Sequence, residues 1–309
     1  MQAQTAATAL PTTTGARRLV VAFICLVLSA VAMGASPIFV RLADVGPYAS
    51  AFWRTALALP LLWLWSHIER RRESPTRFDR SALLAGLLFA GDLFFWHLAI
   101  VNTTVANATF LATTTPIWVA LAAWLLAIET IDARTLCGIA LCLIGGAALV
   151  GQSYGYAPHP LTGDLFGIVT AVFFGTYMLA VRSARRHHAA GRLLFLSTLV
   201  TAPCLFIVAV MMEPRLLPQS AQGFAALLAL ALVSQVAGQG LASIALGTLP
   251  ATFSSLVIFI EAIAAALFGW WILGEELGAM QLMGGMLILV GILVARPRSG
   301  ASAIRQAGP

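Results

Sequence analysis

Several ionisable side chains of this 309-residue chain stand in the middle of long apolar runs. Asp92 is followed one helical turn later by Trp96 and then by His97, and Glu261 has no other charged residue within ten positions on either side. A charged group in hydrocarbon costs about 2.5–3.5 kcal/mol on insertion scales, so it is kept where it has a partner or a function. These residue types predict an acidic and aromatic wall that could attract an amine or a proton.

The same residues also have a structural interpretation, which the sequence leaves open. Asp92 and His97 could hydrogen-bond to neighbouring helices and only hold a bundle together. Glu261 could be protonated and bonded to a backbone carbonyl, since burial favours the neutral acid. Arg54, near the start of its apolar run, could contact the carboxylate of a substrate or extend to lipid headgroups.

Neutral polar and aromatic residues extend the candidate site. Gln235 and Gln239 are one helical turn apart and share a face, which predicts a polar cavity wall or, alternatively, hydrogen bonds between helices. Tyr177 could stack on a substrate or only pack against its neighbours. The remaining candidates for substrate binding are Asn107, Trp118 and Phe259.

The elements that carry these residues are long apolar segments. The chain is 60% hydrophobic and 10% charged, with a mean hydropathy of +0.91, whereas a soluble domain has roughly 25% charged residues. Its solvent is therefore lipid, and a membrane span needs about 20 apolar residues. We predict an all-α integral membrane protein with ten transmembrane helices, at residues 19–40, 48–66, 81–101, 105–127, 134–151, 164–181, 193–212, 223–246, 251–273 and 280–295.

The chain contains an internal repeat. At an offset of 141 residues Gly34 falls on Gly175, and at an offset of 146 residues Trp124 falls on Trp270. Each copy holds an odd number of spans, so the two five-helix copies are inverted relative to each other, which is the architecture of many secondary transporters. The predicted domains are residues 17–151 (spans one to five) and 162–296 (spans six to ten), with flexible cytoplasmic tails at 1–16 and 297–309.

The arginines predict the orientation. All 18 basic residues are arginine, and with a cytoplasmic N-terminus fifteen of them lie on the cytoplasmic side. This positive-inside bias places both termini in the cytoplasm of a bacterial inner membrane. The formal charge of +6 does not indicate a nucleic-acid partner, because the arginines lie in short loops between apolar runs.

Two segments resemble a known family. Residues 107–129, NATFLATTTPIWVALAAWLLAIE, and residues 251–275, ATFSSLVIFIEAIAAALFGWWILGE, are similar to the fourth helix of an EamA domain in the drug/metabolite transporter (DMT) superfamily. Each has a hydroxyl-rich start and ends with Trp and Glu. The first has Pro116 in mid-helix, but the second has Ala262 after Glu261, which predicts a less bent helix. The run 86–97, with Trp96 and His97, is similar to the bacterial aromatic amino-acid exporter subgroup.

The predicted function is secondary transport by alternating access. The mixture of polar groups and rings suits a small organic metabolite, with amino acids, and aromatic ones in particular, favoured, and the resemblance implies export. Drugs or amines and nucleotide sugars are the alternative substrates. A nucleotide substrate would favour several cations facing the cavity, and Arg54 alone gives this alternative little support.

Other function classes have less support in the sequence. A channel would need a filter loop, and an intramembrane enzyme would need a catalytic motif such as HExxH; neither pattern is visible. We predict no cofactor and no metal. Proton coupling through Asp92 or Glu261 and the oligomeric state stay open.

Overall fold

The computed structural model describes residues 13–70, 80–102, 105–150, 160–273 and 278–297, and all regular structure in these ranges is helical, as the sequence predicts. Parts of the predicted tails, residues 1–12 and 298–309, lie outside the described residues. The helices are α1 (Thr13–Gly34), α2 (Ser36–Leu42), α3 (Pro47–Ala56), α4 (Leu59–Arg70), α5 (Arg80–Asn102), α6 (Val105–Ala112), α7 (Thr115–Leu125), α8 (Ala133–Val150), α9 (Pro160–Ala184), α10 (Ala190–Met212), α11 (Ala221–Ala229), α12 (Gly240–Leu246), α13 (Ala251–Val257), α14 (Ile260–Leu273) and α15 (Ala279–Val294). A π helix, Leu230–Gln239, joins α11 to α12 and is called the π segment here.

Within the described residues, six helical segments are long and apolar enough to cross a membrane. They are Gly15–Leu42, Arg80–Ala99, Leu161–Ala184, Ala190–Met212, Ala221–Leu246 and Ala251–Ile272, and shorter apolar helices cover Phe110–Leu125, Ala133–Ala148 and Ala279–Val294. The predicted run 48–66 is divided between α3 and α4, each too short to span alone. The ten crossings and their inverted arrangement therefore stay predictions.

Large apolar side chains cover the outside of the bundle, whereas several polar ones lie inside it. Trp63, Leu125, Trp271 and Leu293 are among the exposed hydrophobic residues. Arg54, Asp92, His97, Gln235 and Gln239 are all buried. Backbone groups in hydrocarbon must be paired internally, which helices achieve within one segment. This distribution fits helices whose outer faces contact lipid.

The helix formed by α6 and α7 is interrupted where the sequence contains Pro116. Proline has no N–H and crowds the carbonyl four residues earlier, so the α-helical bonding pattern cannot continue. The hydroxyls of Thr113, Thr114 and Thr115 donate to the carbonyls three residues before them, at 2.6–2.7 Å. These local bonds satisfy carbonyls at the interruption without water.

The repeat-related helix formed by α13 and α14 is also interrupted, at Ile258–Phe259, although it has Ala262 in place of proline. The sequence predicts a less bent helix here, and the break shows that proline is not required for an interruption. Ser254 and Ser255 donate to the carbonyls of Pro250 and Thr252, both at 2.8 Å. Such hydroxyl bonds to the preceding turn bend helices.

Close packing of glycines joins α8 to α15. A Cβ on Gly145 would lie 2.5 Å from the carbonyl oxygen of Gly284, and one on Gly291 would lie 2.8 Å from that of Gly138. These distances leave no room for a side chain at either contact. Gly145 thus packs against Gly284, and Gly291 against Gly138, across one helix interface, as in small-residue packing of membrane helices.

Carboxylates hold the starts of two helices. The Glu213 carboxylate, just after α10, accepts from the amides of Tyr48 and Ala49 at 2.6 and 3.1 Å; we call this contact the Glu213 clasp. The Glu129 carboxylate, after α7, accepts from the amides of Ala251 and Thr252 at 2.7 and 3.1 Å; this is the Glu129 clasp. Both place a negative group at a helix start, where the helix dipole favours it.

The two clasps lie at opposite ends of the bundle. Arg182, in the last turn of α9, pairs with Glu129 at 3.1 Å. Since α10 begins six residues after α9 ends, the Glu129 clasp lies at the end where α10 begins. The Glu213 clasp lies where α10 ends. A helix of 23 residues is about 35 Å long, roughly the thickness of a bilayer core.

Candidate binding cavity

A cavity enclosing about 820 Å³ of empty space, its mouth included, lies among the helices. Its lining comes from α1, α2, α3, α5, α6, α7, α9, the π segment, α13, α14 and their connections. The predicted binding residues that line the cavity are Arg54, Asp92, Trp96, Gln239, Phe259 and Glu261.

Arg54 is the cation of this cavity. Its side chain is held inside the bundle, with 6% of the residue exposed, so it does not extend to the surface. Nε donates to Gln235 Oε1 at 3.2 Å, Nη1 lies 3.5 Å from Ser36 Oγ, and Cζ lies 5.9 Å from the centroid of the Phe89 ring. Among the described residues it forms no salt bridge within 4.0 Å. A guanidinium has five N–H donors, so donors remain for a molecule in the cavity.

Two carboxylates line the same cavity. Asp92, on α5, is buried, and Glu261, at the start of α14, is half-buried. Both are close enough to Arg54 for their charges to interact. Charge interactions are strong where little water is present. One guanidinium and two carboxylates make a cavity that offers partners to both a carboxylate and an amine.

The two glutamines of the π segment hold other side chains. Gln235 accepts from Arg54, and its Nε2 donates to Thr198 Oγ1 at 3.3 Å. Gln239 Oε1 accepts from the Tyr177 hydroxyl at 3.2 Å, and its Nε2 lies 3.3 Å from Met33 Sδ. Gln239 lines the cavity but Gln235 does not, so Gln235 lies behind Arg54 as a partner of the guanidinium.

His97 does not line the cavity. Its Nδ1 is hydrogen-bonded to the Leu93 carbonyl of its own helix, which requires the proton on Nδ1. Its Nε2 is buried and has no partner among the described residues. The ring lies beside Tyr48 and Trp96, with centroids 6.2 and 4.9 Å away. Its position therefore places His97 next to the Glu213 clasp rather than in the cavity wall.

Two further predicted residues, Trp118 and Tyr177, do not line the cavity. Trp118 Nε1 donates to Thr114 Oγ1 at 3.4 Å, one turn earlier. Tyr177 packs in a ring stack between Phe89 and Phe174, with centroids 4.8 and 6.0 Å away. The side chain of Asn107 lies outside the described residues, although its backbone belongs to α6.

Sequence reasoning missed several residues of the site. Ser36 and Pro37 line the cavity at the break between α1 and α2, and a Ser-Pro pair inside an apolar run was the available signal. Thr198, inside the apolar helix α10, gave no such signal because single threonines are common in membrane helices. Phe89 and Phe174 also line the cavity and supply its ring faces.

Helices that are apolar outside and enclose such a cavity define an integral membrane protein with a site for a small molecule. The sequence profile of the EamA-like transporter family matches residues 20–151 and again residues 161–296. The chain therefore belongs to the EamA-like transporter family, and it is a membrane transporter.

Known proteins resemble the chain over most of its length. The pseudopaline exporter CntI of Pseudomonas aeruginosa (strain UCBPP-PA14) is 26% identical over 258 residues, which cover 81% of this chain and 86% of that protein. An uncharacterized transporter of Archaeoglobus fulgidus is 27% identical over 286 residues, covering 87% and 94%. A solved crystal structure of a protein with 17% identity superposes with a TM-score of 0.75 over 91% of this chain and 97% of its own, which shows a shared fold.

Proposed function

We propose that the chain is a secondary transporter of small amphoteric metabolites, with amino acids, and aromatic ones in particular, as the favoured substrates. The observation that carries this proposal is the combination of Arg54, Asp92 and Glu261 around one cavity. Arg54 has donors for a substrate carboxylate, and the two acids suit an ammonium group. The ring faces for an aromatic side chain are those of Phe89, Trp96, Phe174 and Phe259.

Export across the bacterial inner membrane, with both termini in the cytoplasm, is the proposed direction and topology. The named activity of the Pseudomonas relative supports export, and the arginine distribution supports the topology. Impermeant labelling of single cysteines added at each terminus of the chain in intact cells tests the topology. Labelling without permeabilisation would contradict it.

The proposed mechanism is alternating access between two inverted five-helix halves. The clasps support it, because each lies at one end of the bundle and joins residues of the first half to residues of the second. Access from one side then requires that the clasp on that side opens while the other stays closed.

A counterflow screen on purified protein in liposomes tests the substrate class. Liposomes loaded with one candidate are assayed for uptake of radiolabelled phenylalanine, of phenethylamine and of a nucleotide sugar. We expect exchange of phenylalanine by the wild-type protein and weaker exchange by Arg54→Gln. If no amino acid exchanges, the proposal is wrong.

Amines without a carboxylate are the second candidate class. The cavity has two acids for one guanidinium, which favours a cation. In the same screen, exchange of phenethylamine without exchange of phenylalanine would identify this class instead. We also propose proton coupling at this cavity, because a proton can neutralise the surplus acid.

A further inference from the structure

Three buried side chains from three elements form a linear hydrogen-bonded relay behind the cavity. Thr198 on α10 accepts from Gln235 Nε2 at 3.3 Å, and Gln235 Oε1 on the π segment accepts from Arg54 Nε on α3 at 3.2 Å. Thr198 and Gln235 are 1% and 0% exposed. Only the Arg54 end of this relay lines the cavity.

The chemistry of the relay fixes the orientation of each member. A guanidinium only donates, so Gln235 must present its oxygen to Arg54. The NH₂ group of the same amide then points the other way and needs an acceptor, because an unpaired buried donor is costly. Thr198 Oγ1 is that acceptor. Without the Thr198 hydroxyl, the NH₂ group of Gln235 would be left unpaired, and rotation of the amide toward other acceptors would become favourable. That rotation would move the Gln235 oxygen away from Arg54 and turn a donor toward it.

The orientation of Arg54 matters because carboxylate binding by a guanidinium is directional. The planar group offers paired N–H donors that match a carboxylate when the two planes are aligned. With Nε fixed by Gln235 and Nη1 near Ser36 Oγ, the plane of Arg54 is held on two sides. A small rotation of this plane would weaken a paired contact but would hardly change attraction to a distant charge.

We propose that Thr198 is a positioning residue that acts through Gln235 to align Arg54, and that it sets the preference for substrates with a carboxylate over their decarboxylated amines. This inference rests on the proposed function, in which Arg54 binds the substrate carboxylate. It extends the site to a residue on α10 that touches no part of the cavity.

The test compares Thr198→Val with Thr198→Ser, which keeps the hydroxyl. Thr201→Val is the matched control, because Thr201 lies one turn later on α10, is fully buried and donates to the Gly86 carbonyl at 2.8 Å instead. Apparent KM is measured for phenylalanine and for phenethylamine in liposomes. We expect Thr198→Val to raise the KM for phenylalanine about tenfold and that for phenethylamine less than about twofold, with Thr198→Ser close to wild type.

The outcomes separate this inference from the proposed function. Equal changes for both probes, or the same selective loss in Thr201→Val, would overturn the positioning role. A wild-type protein that transports neither probe would contradict the proposed function. In that case the relay is still tested by the melting temperatures of Thr198→Val, Arg54→Met and the double variant in detergent, which need no substrate. Coupled residues give non-additive shifts, and additive shifts would overturn the relay without reference to any substrate.

Discussion

Arg54 is the residue on which recognition of a carboxylate depends. Among the described residues that line the cavity, no other side chain carries a guanidinium. Its hydrogen-bond partners inside the protein, Gln235 and Ser36, are neutral oxygens, so its charge is not neutralised by a direct ion pair. A substrate carboxylate would form the direct ion pair that Arg54 lacks among the described residues.

Replacing Arg54 by Gln should therefore remove substrate affinity selectively. A hydrogen bond to a charged group contributes about 1.5–3 kcal/mol, so we expect the apparent KM for phenylalanine to rise roughly tenfold or more. The measurement is uptake into liposomes. Arg41→Gln is the control, because Arg41 is exposed at the end of α2. An equal loss in both variants would contradict a specific contact.

Glu261 is the cavity acid whose helix neighbours carry no other charge, which makes it a candidate for carrying a proton. We expect Glu261→Gln to flatten the dependence of uptake on pH, since the amide cannot exchange a proton. Asp92→Asn is the matched variant for the other acid. A pH profile of Glu261→Gln with the wild-type shape would show that Glu261 is structural.

At the scale of elements, interrupted helices shape the cavity. Thr113, Thr115 and Pro116 line it at the break between α6 and α7, and Ile258 and Phe259 line it at the break between α13 and α14. Interrupted helices at the level of a binding site are common in transporters, because the backbone there lines a cavity rather than lipid.

The break between α6 and α7 should survive the loss of its proline. The repeat-related break has Ala262 at the corresponding position, and local hydroxyl bonds are present at both. We expect Pro116→Ala to keep transport within about twofold of wild type, because the threonine bonds to the preceding turn remain. Adding Thr114→Val and Thr115→Val to Pro116→Ala tests whether these threonine hydroxyl bonds maintain the break. If Pro116→Ala alone abolishes transport, the proline has a role that its partner lacks.

The Glu213 clasp should respond to pH. Burial raises the pKa of Glu213 above its usual 4.5, although the amides of Tyr48 and Ala49 act in the opposite direction. A raised pKa means that the folded state favours the protonated acid. Stability relative to Glu213→Gln is then highest below the unfolded pKa and falls as pH rises through the folded pKa. Melting temperatures of both proteins from about pH 4 to about pH 7 measure this difference, and a constant difference would contradict it.

At the scale of the whole molecule, contacts between the two family-matched segments lie at both ends of the bundle, which makes a test of alternating access possible. Cysteine pairs at Tyr48 and Glu213, and at Glu129 and Thr252, can be cross-linked after replacement of the four native cysteines, which the structure describes as free thiols. We expect either cross-link to stop transport and a reductant to restore it, because both clasps must open in one cycle. Full transport with either end locked would contradict alternating access.

The sequence predicted the all-helical fold class. It also indicated Arg54, Asp92 and Glu261 as candidate binding residues, because a charge inside an apolar run needs a cavity or a partner. It did not predict that Gln235 lies behind Arg54, since the π segment changes the angular spacing of side chains from that of an α helix. Nor did it place His97 away from the cavity. The hydrogen bond between His97 Nδ1 and the Leu93 carbonyl turns the ring toward its own helix. A helical pattern in the sequence shows only which face of the helix a residue lies on, so it does not indicate such a bond.

Each clasp joins a side chain to main-chain amides, and this has a consequence for how the sequence can change over time. An N–H group belongs to every residue except proline, so positions 48, 49 and 251 can accept many substitutions without losing the bond to the carboxylate. Glu213 and Glu129 have no such freedom, because the carboxylate exists only in the side chain. The contact at the Glu213 end therefore depends on one codon and can persist while the surrounding residues diverge, whereas the Glu129 end also uses the side chains of Arg182 and Thr252.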